Sequence, residues 1–285
     1  MNAQNLVHLR VWGDFACFTR PEMKVERVSY PIITPSAARG VLEAVFWEPQ
    51  MYYLIHQITV LRHTAGRREY GKGRWVSFRR NEVTQTIKPG VAQKWMKTPQ
   101  SFEPIQAGGG ADDATQRNTL ALAEVAYLIS AEVCLSSLAC QPRDNLGKYR
   151  DEFRRRAKGG KCHSRPVLGC REFSADFDWL EKSNDVLRFP WPEENLGLML
   201  YDVFHPDDRH RGFAWFNAGQ DYAELAWEAP LVAEASQRGH FGRIATPRAC
   251  FFRANIKDSV MDCHPSAVEI RSTRGASGYN AANNT

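Results

Sequence analysis

The sequence predicts an α+β fold of the ferredoxin-like (RRM-like) kind. Three observations carry that prediction. Near the start, Val7, Leu9 and Val11 alternate with His8, Arg10 and Trp12, the period of a strand with one buried face. Thr34-Pro35 then opens a helix, with a hydroxyl to cap free N–H groups and a proline where no N–H is needed. Last, Leu120, Leu122, Val125, Tyr127, Ile129, Ala131 and Val133 read as one long buried strand, with a one-residue slip (a bulge) near Glu124.

In chain order, Gly13-Asp14 is expected to end the first strand. Val41, Leu42, Val45 and Phe46 form the apolar stripe of the first helix, and Pro49 stops it. A strand follows from Leu54 to Leu61, with Ile55, Ile58 and Val60 as its apolar positions. Residues 62–77, rich in Gly, Arg, Tyr and Trp, read as a long loop or hairpin tip, and Phe78 to Ile87 as the returning strand. Pro89 to Asp113 reads as irregular. Its Ala107-Gly-Gly-Gly-Ala-Asp-Asp113 lacks the Gly-Lys-Ser/Thr ending of a P-loop. Asp144 to Lys158 is a charged helix stopped by Gly159-Gly160. Val167–Phe173, Leu196–Val203, Gly212–Phe216 and Tyr222–Trp227 read as further strands, and the end from Ser272 as a flexible tail. No internal repeat is visible.

The 285 residues suit one large domain or two modest ones, with 43% hydrophobic and 24% charged content typical of a globular protein. The net charge of +5 permits a nucleic-acid partner without requiring one. Its distribution says more. Arg62, Arg67, Arg68, Lys72, Arg74, Arg79 and Arg80 face only Glu69 between residues 62 and 80. A second basic run is Lys148, Arg150, Arg154, Arg155, Arg156, Lys158, Lys161 and Arg165. A third group, Arg20, Lys24, Arg27 and Arg39, leads into a helix N-terminus, where free N–H groups favour a phosphate. One run alone could be a solvated face; three favour a polyanion. The seven cysteines form no CxxC pair, and Cys162-His163 with Cys170 lacks a second Cys/His pair, so no metal is expected. Reduced thiols, no signal pattern and no apolar run of spanning length give the expectation of a cytoplasmic protein that does not enter a membrane.

Several separated segments share a further likeness. They are Arg10-Val-Trp-Gly-Asp14, Phe18 to Tyr30, Thr34 to Trp47, Arg79-Arg-Asn-Glu-Val83, Gln116-Arg117, Phe153-Arg-Arg-Arg156 and Leu168-Gly-Cys-Arg-Glu-Phe173. In that order the chain resembles the RAMP-type subunit of type I-C CRISPR surveillance (Cascade) complexes. The resemblance implies an RRM-like domain over residues 1–205, carrying the basic loop 62–77, and a smaller antiparallel β domain over 206–271, before the tail at 272–285. It implies binding of crRNA and its precursor, metal-independent cleavage, no cofactor, and retention of the 5′ handle. The implied partners are the backbone and large subunits of the complex, and target DNA through the complex. The chain departs from the family at two places. In the active site, Phe46 stands where a family member has Tyr and no Lys-His pair precedes Gln116, and the Arg/Gly loop 62–77 is longer than the family's usual strand connection.

Metal-free RNA cleavage needs a base for a 2′-OH, cations for the crowded phosphorane and an acid for the leaving oxygen. The candidates are His63, Lys88 and Arg117; His56, in an apolar-rich strand, reads as structural. Candidate RNA contacts are Arg20, Lys24, Arg27, Arg39, Arg79, Arg80, Gln116 and Arg171, with Tyr70 and Trp75 as stacking platforms in a segment whose glycines make a poor core strand. An endoribonuclease is the leading expectation. A non-catalytic handle-binding assembly subunit is the alternative that Phe46 keeps open. An RRM-like RNA binder outside CRISPR defence is a third.

Overall fold

Strand β1 (Leu6–Ala16) lies between two antiparallel neighbours, β7 (Ala114–Leu135) and β8 (Asp176–Leu180). The computed structural model describes residues 6–83, 87–108, 110, 112–183, 186–210, 213–214, 242–243 and 249–272. Between β1 and β7 come β2 (Arg27–Val28), α1 (Pro35–Val45), β3 (Met51–Val60), β4 (His63–Ala65), β5 (Arg68–Tyr70), β6 (Lys72–Val83) and α2 (Pro89–Lys97). After β7 come α3 (Leu146–Lys158), β8, β9 (Glu194–Asp202) and the short α4 (Pro206–Arg209). Two short paired strands, β10 (Phe213–Ala214) and β11 (Gly242–Arg243), precede β12 (Cys250–Lys257), β13 (Val260–Asp262) and β14 (Ile270–Ser272).

The fold is α+β, with a mostly antiparallel sheet and few helices. The main sheet runs in the order β14-β12-β13-β3-β7-β1-β8, with β2 and β6 also on β7 and β9 on β12. Among the described strands in it, β2 and β7 pair in parallel and the other strand pairs are antiparallel. The hub is β7. Its first half pairs with β6 and its second half with β3, and β1 runs along its middle and second half.

The predicted slip in β7 has a specific form. Glu124 has φ 60°, and Gly73 on β6, between the residues paired with Val125 and Ala123, has φ 86°. A left-handed backbone is costly for Glu but open to Gly. The pairing on either side keeps one register, so no residue is inserted, yet Leu122 and Val125 both reach the main core. A kink, rather than a bulge, changes the phase.

Helix α1 begins where expected: Thr34 Oγ1 accepts from Ala37 N at 3.2 Å. Its buried Val41, Leu42 and Val45 join Tyr149 and Phe153 of α3 in the main core. Each such burial is worth roughly 1.5–3 kcal/mol. Asn145 caps α3 through Lys148 N, and Gly160, at φ 63°, follows its end. Phe153 sits edge-on to Tyr53 of β3 and Trp179 of β8, so α3, with α1 in the same core, lies on one face of the sheet.

Several expected elements differ. Gly13 does not end β1. A Cβ there would lie 2.6 Å from Leu168 Cδ1, so glycine allows the 166–170 loop to close on a strand that continues to Ala16. Val167–Phe173 is that loop, not a strand, fixed by Cys17 N to Leu168 O at 3.0 Å and Leu168 N to Phe173 O at 2.8 Å. The segment 62–77 is a short β4–β5 hairpin followed by the start of β6. Within Pro89–Asp113, taken as irregular, α2 forms, with Pro89 at its first turn. Tyr222–Trp227 and the tail from 273 lie outside the described residues.

Candidate nucleic-acid interface

The pairing of β6 with the first half of β7 sets Arg80 directly opposite Arg117. Like charges in facing positions repel unless something neutralises them. Glu82 lies 3.3 Å from Arg80 Nη1 and 3.5 Å from Arg117 Nε, and Glu26 lies 4.0 Å from Arg117 Nη1. Arg80 Nη2 also donates to Val25 O at 3.0 Å. Even so, Nε of both arginines is buried without a hydrogen-bond partner among the described residues. Two guanidinium groups held together and partly exposed suit an anion arriving from outside.

Around this pair the strand spacing sets two faces. Phe78 shares a face with Arg80 and packs with Phe15 and Phe173 at ring separations of 5.0 and 5.9 Å. Phe15 remains 37% exposed. Trp75 and Arg79 share the opposite face, both exposed, Trp75 at 48%. Gln116 is exposed beside them, opposite Asn81. On the neighbouring loops Lys24 and Arg171 are exposed. Arg27 bonds Glu172 at 3.1 Å and reaches Cys170 Sγ at 3.5 Å. Hydrogen bonding from Cys17, with help from Arg27, lowers the pKa of the Cys170 thiol against the opposing effect of burial. Arg20 lies over the Tyr30 ring at 5.0 Å. Sequence reasoning missed Phe15, Phe78 and Phe173; the signal was the i, i+2 spacing of Phe78 and Arg80.

Two expected contacts are corrected. Arg39 is buried in an ion cluster: Asp202 takes its Nε at 2.8 Å and Nη2 at 3.0 Å, and Glu43 takes Nη1 at 2.6 Å. Its donors hold α1 to β9 rather than facing an open surface. Tyr70 is only 8% exposed, its hydroxyl donating to Asp14 Oδ1 at 2.9 Å. Asp14 also pairs with Arg68, which folds the hairpin onto β1.

The three candidate catalytic groups do not meet. His63 packs tilted against Trp12 at a ring separation of 4.5 Å, with Nε2 buried and without a hydrogen-bond partner among the described residues. Burial, then Arg10, lowers its pKa. Its neighbour Leu61 bonds Ala126 of β7; from Ala126 to Arg117 is about 30 Å of strand at ~3.3 Å per residue. Lys88 is exposed at the head of α2. Phe46 is buried, with Arg156 5.2 Å above its ring and Tyr149 stacked at 6.5 Å. Exposed His163 lies on the loop after α3, its backbone N–H donating to the carbonyl of Ala44, two residues before Phe46, at 2.8 Å. That imidazole, just past the Gly159-Gly160 stop, was also missed. Cys162, His163 and Cys170 form no metal-ligand group.

A family model described as CRISPR-associated protein (Cas5), of the Cas5d type, matches residues 6–261. The chain belongs to the Cas5d family. A relative from Mannheimia succiniciproducens, named CRISPR pre-crRNA endoribonuclease Cas5d, is 40% identical over 207 residues, covering 70% of this chain and 85% of its own. A relative of the same name from Thermus thermophilus is 42% identical over 256 residues, covering 89% of each. A solved CRISPR-associated protein overlays with a TM-score of 0.52 at 15% identity, covering 90% of each chain, and a Streptococcus mutans protein with 0.53 at 15%, covering 93% and 96%. These overlays bear on the Cas5d fold. No described helix is long and apolar enough to cross a membrane.

Proposed function

We propose that this chain binds the repeat of a CRISPR precursor RNA, cuts it by metal-independent attack of a 2′-OH, and stays on the 5′ handle within a type I-C complex. The observation that carries this is the pair of Cas5d relatives named as pre-crRNA endoribonucleases, 40% and 42% identical across most of the chain. Its other partners are the backbone and large subunits and, through the complex, target DNA.

The fold supports the reading. The sheet order β3-β7-β1-β8, with α1 between β1 and β3 and α3 between β7 and β8, fits a ferredoxin-like unit. RNA lies across the β6–β7–β2 rim. Arg80 and Arg117 clamp one phosphate. Lys24, Arg27, Arg79 and Arg171 track others, with Arg20 and Gln116 alongside, and Trp75 stacks a base. His63 and Lys88 play no part in one shared centre with Arg117. Proton transfer falls to His163, beside the position where Phe46 offers no hydroxyl, with Arg156 as the nearby cation.

Cognate repeat RNA incubated in EDTA, with a 2′-deoxy control at the scissile nucleotide, tests this on a denaturing gel. A single cut abolished by the deoxy control and by His163→Ala, with binding retained, is expected. Tight binding without a cut would favour the second reading, a handle-capping subunit, which the buried, hydroxyl-free Phe46 supports.

A further inference from the structure

We propose that His56, Glu132 and His264 form a zinc-type metal site that staples the C-terminal strands to the central sheet. One nitrogen of each imidazole and one Glu132 oxygen lie within 4.8 Å of one another, and His56 Nε2 is 3.3 Å from Glu132 Oε2. A tetrahedral zinc with bonds of about 2.0–2.1 Å separates its ligand atoms by about 3.3 Å. One edge of that tetrahedron is therefore in place, and the third ligand closes by at most about 1.5 Å, a small side-chain movement. Two histidines and a carboxylate, with a fourth position for water, are a donor set that zinc accepts.

The backbone prepares the site. His56 sits at the register shift of β3 against β7, where Ile55 faces Ala131 and Gln57 faces Ser130, so it has no opposite residue. Such an irregularity re-aims a side chain. Its carbonyl accepts from Cys263 N at 2.8 Å and His264 N at 3.1 Å, which brings the second imidazole alongside at a ring separation of 4.3 Å. The Ser266 backbone N–H donates to His264 Nδ1 at 3.2 Å and Ser266 Oγ lies 2.6 Å from the same nitrogen, so the turn fixes the ring and leaves Nε2 as the nitrogen open to a ligand. The three ligands come from β3, β7 and the turn after β13, far apart in sequence. All three are half-buried, shielded yet reachable. Glu132 and Arg117 are separated along β7 by about 50 Å of strand, and Glu132 pairs with Leu54, on the sheet face away from Tyr53 and the helices. The site is therefore structural, and RNA cleavage does not depend on it.

The test uses the full chain, stripped with chelator and free of any histidine tag. Zinc chloride alone is titrated by calorimetry and by thermal unfolding, and cobalt(II) reports the ligand type by its visible spectrum. One metal per chain and a melting temperature that rises with zinc are expected. His56→Ala and His264→Ala abolish both effects. No binding by the unaltered chain would leave a plain His–Glu pair and overturn the proposal. Equal binding by folded His56→Ala and His264→Ala, or a thiolate-to-cobalt band, would overturn it too.

Discussion

The arginines of this protein divide into two regions with opposite meanings. Around Arg39, guanidinium donors meet Asp202 and Glu43, and Arg209 reaches Glu43 at 2.7 Å. Along the β6–β7–β2 rim, Arg79 and Arg171 stand exposed, and the facing Arg80 and Arg117 keep unused buried donors. The first set is satisfied inside the molecule and joins α1 to β9 and α4. The second pairs only in part, with the half-exposed Glu82 and Glu26, and leaves exposed charge for an anion from outside. Charge alone does not mark an RNA contact; whether the guanidinium and its carboxylate are buried together decides.

Breaking the buried cluster has the largest expected effect. Asp202→Asn leaves Arg39 underpaired in the interior, and stability should fall by about 3–5 kcal/mol. Thermal unfolding reads this as a loss of several degrees, while RNA affinity of the folded protein stays near its original value. If affinity fell in step with stability, the two regions would not be separable.

On the rim the order of effects reverses. Trp75→Ala should leave stability within about 0.5 kcal/mol, because the ring is half exposed, and should cost about 1–3 kcal/mol of RNA binding through one lost base stack. A filter-binding curve beside a denaturant titration checks both. The hairpin is a middle case. Asp14 anchors Tyr70 and Arg68, so Asp14→Asn should destabilise by about 1 kcal/mol and weaken RNA binding little.

Acid should act on the buried cluster with no measurable effect near neutrality. Burial tends to raise the Asp202 pKa, but Arg39 overrides it and the folded value is lowered. A depressed folded pKa gives stability that is present above the unfolded value of about 3.9 and lost as pH falls through the folded one. Denaturant midpoints measured down through pH 4 should drop in the unaltered protein and flatten in Asp202→Asn.

Much of the fold was legible because its signals are local. Alternation marked β1, Thr34-Pro35 marked α1, and the changed phase at Glu124 marked the kink. Helix α2 was missed because none of its side chains is buried, so it shows no apolar stripe. Arg39 was misjudged because its partner Asp202 lies 163 residues away, a distance no local pattern spans. Tyr70 was misjudged for the same reason: its glycine-flanked segment reads as open, yet its hydroxyl is bonded across the fold to Asp14. His163 comes toward Phe46 only through the turn after α3, so the sequence offered it as a half-complete Cys-His metal pair and not as a proton carrier.

The most direct test of the division is a salt titration of repeat-RNA binding by a Lys24→Ala, Arg79→Ala, Arg171→Ala variant. Each lost phosphate contact should reduce the slope of log affinity against log salt by about 0.7 for single-stranded RNA. A slope reduced by about 2, with unaltered melting temperature, is the predicted result. An unchanged slope would contradict the account and move the RNA to another face.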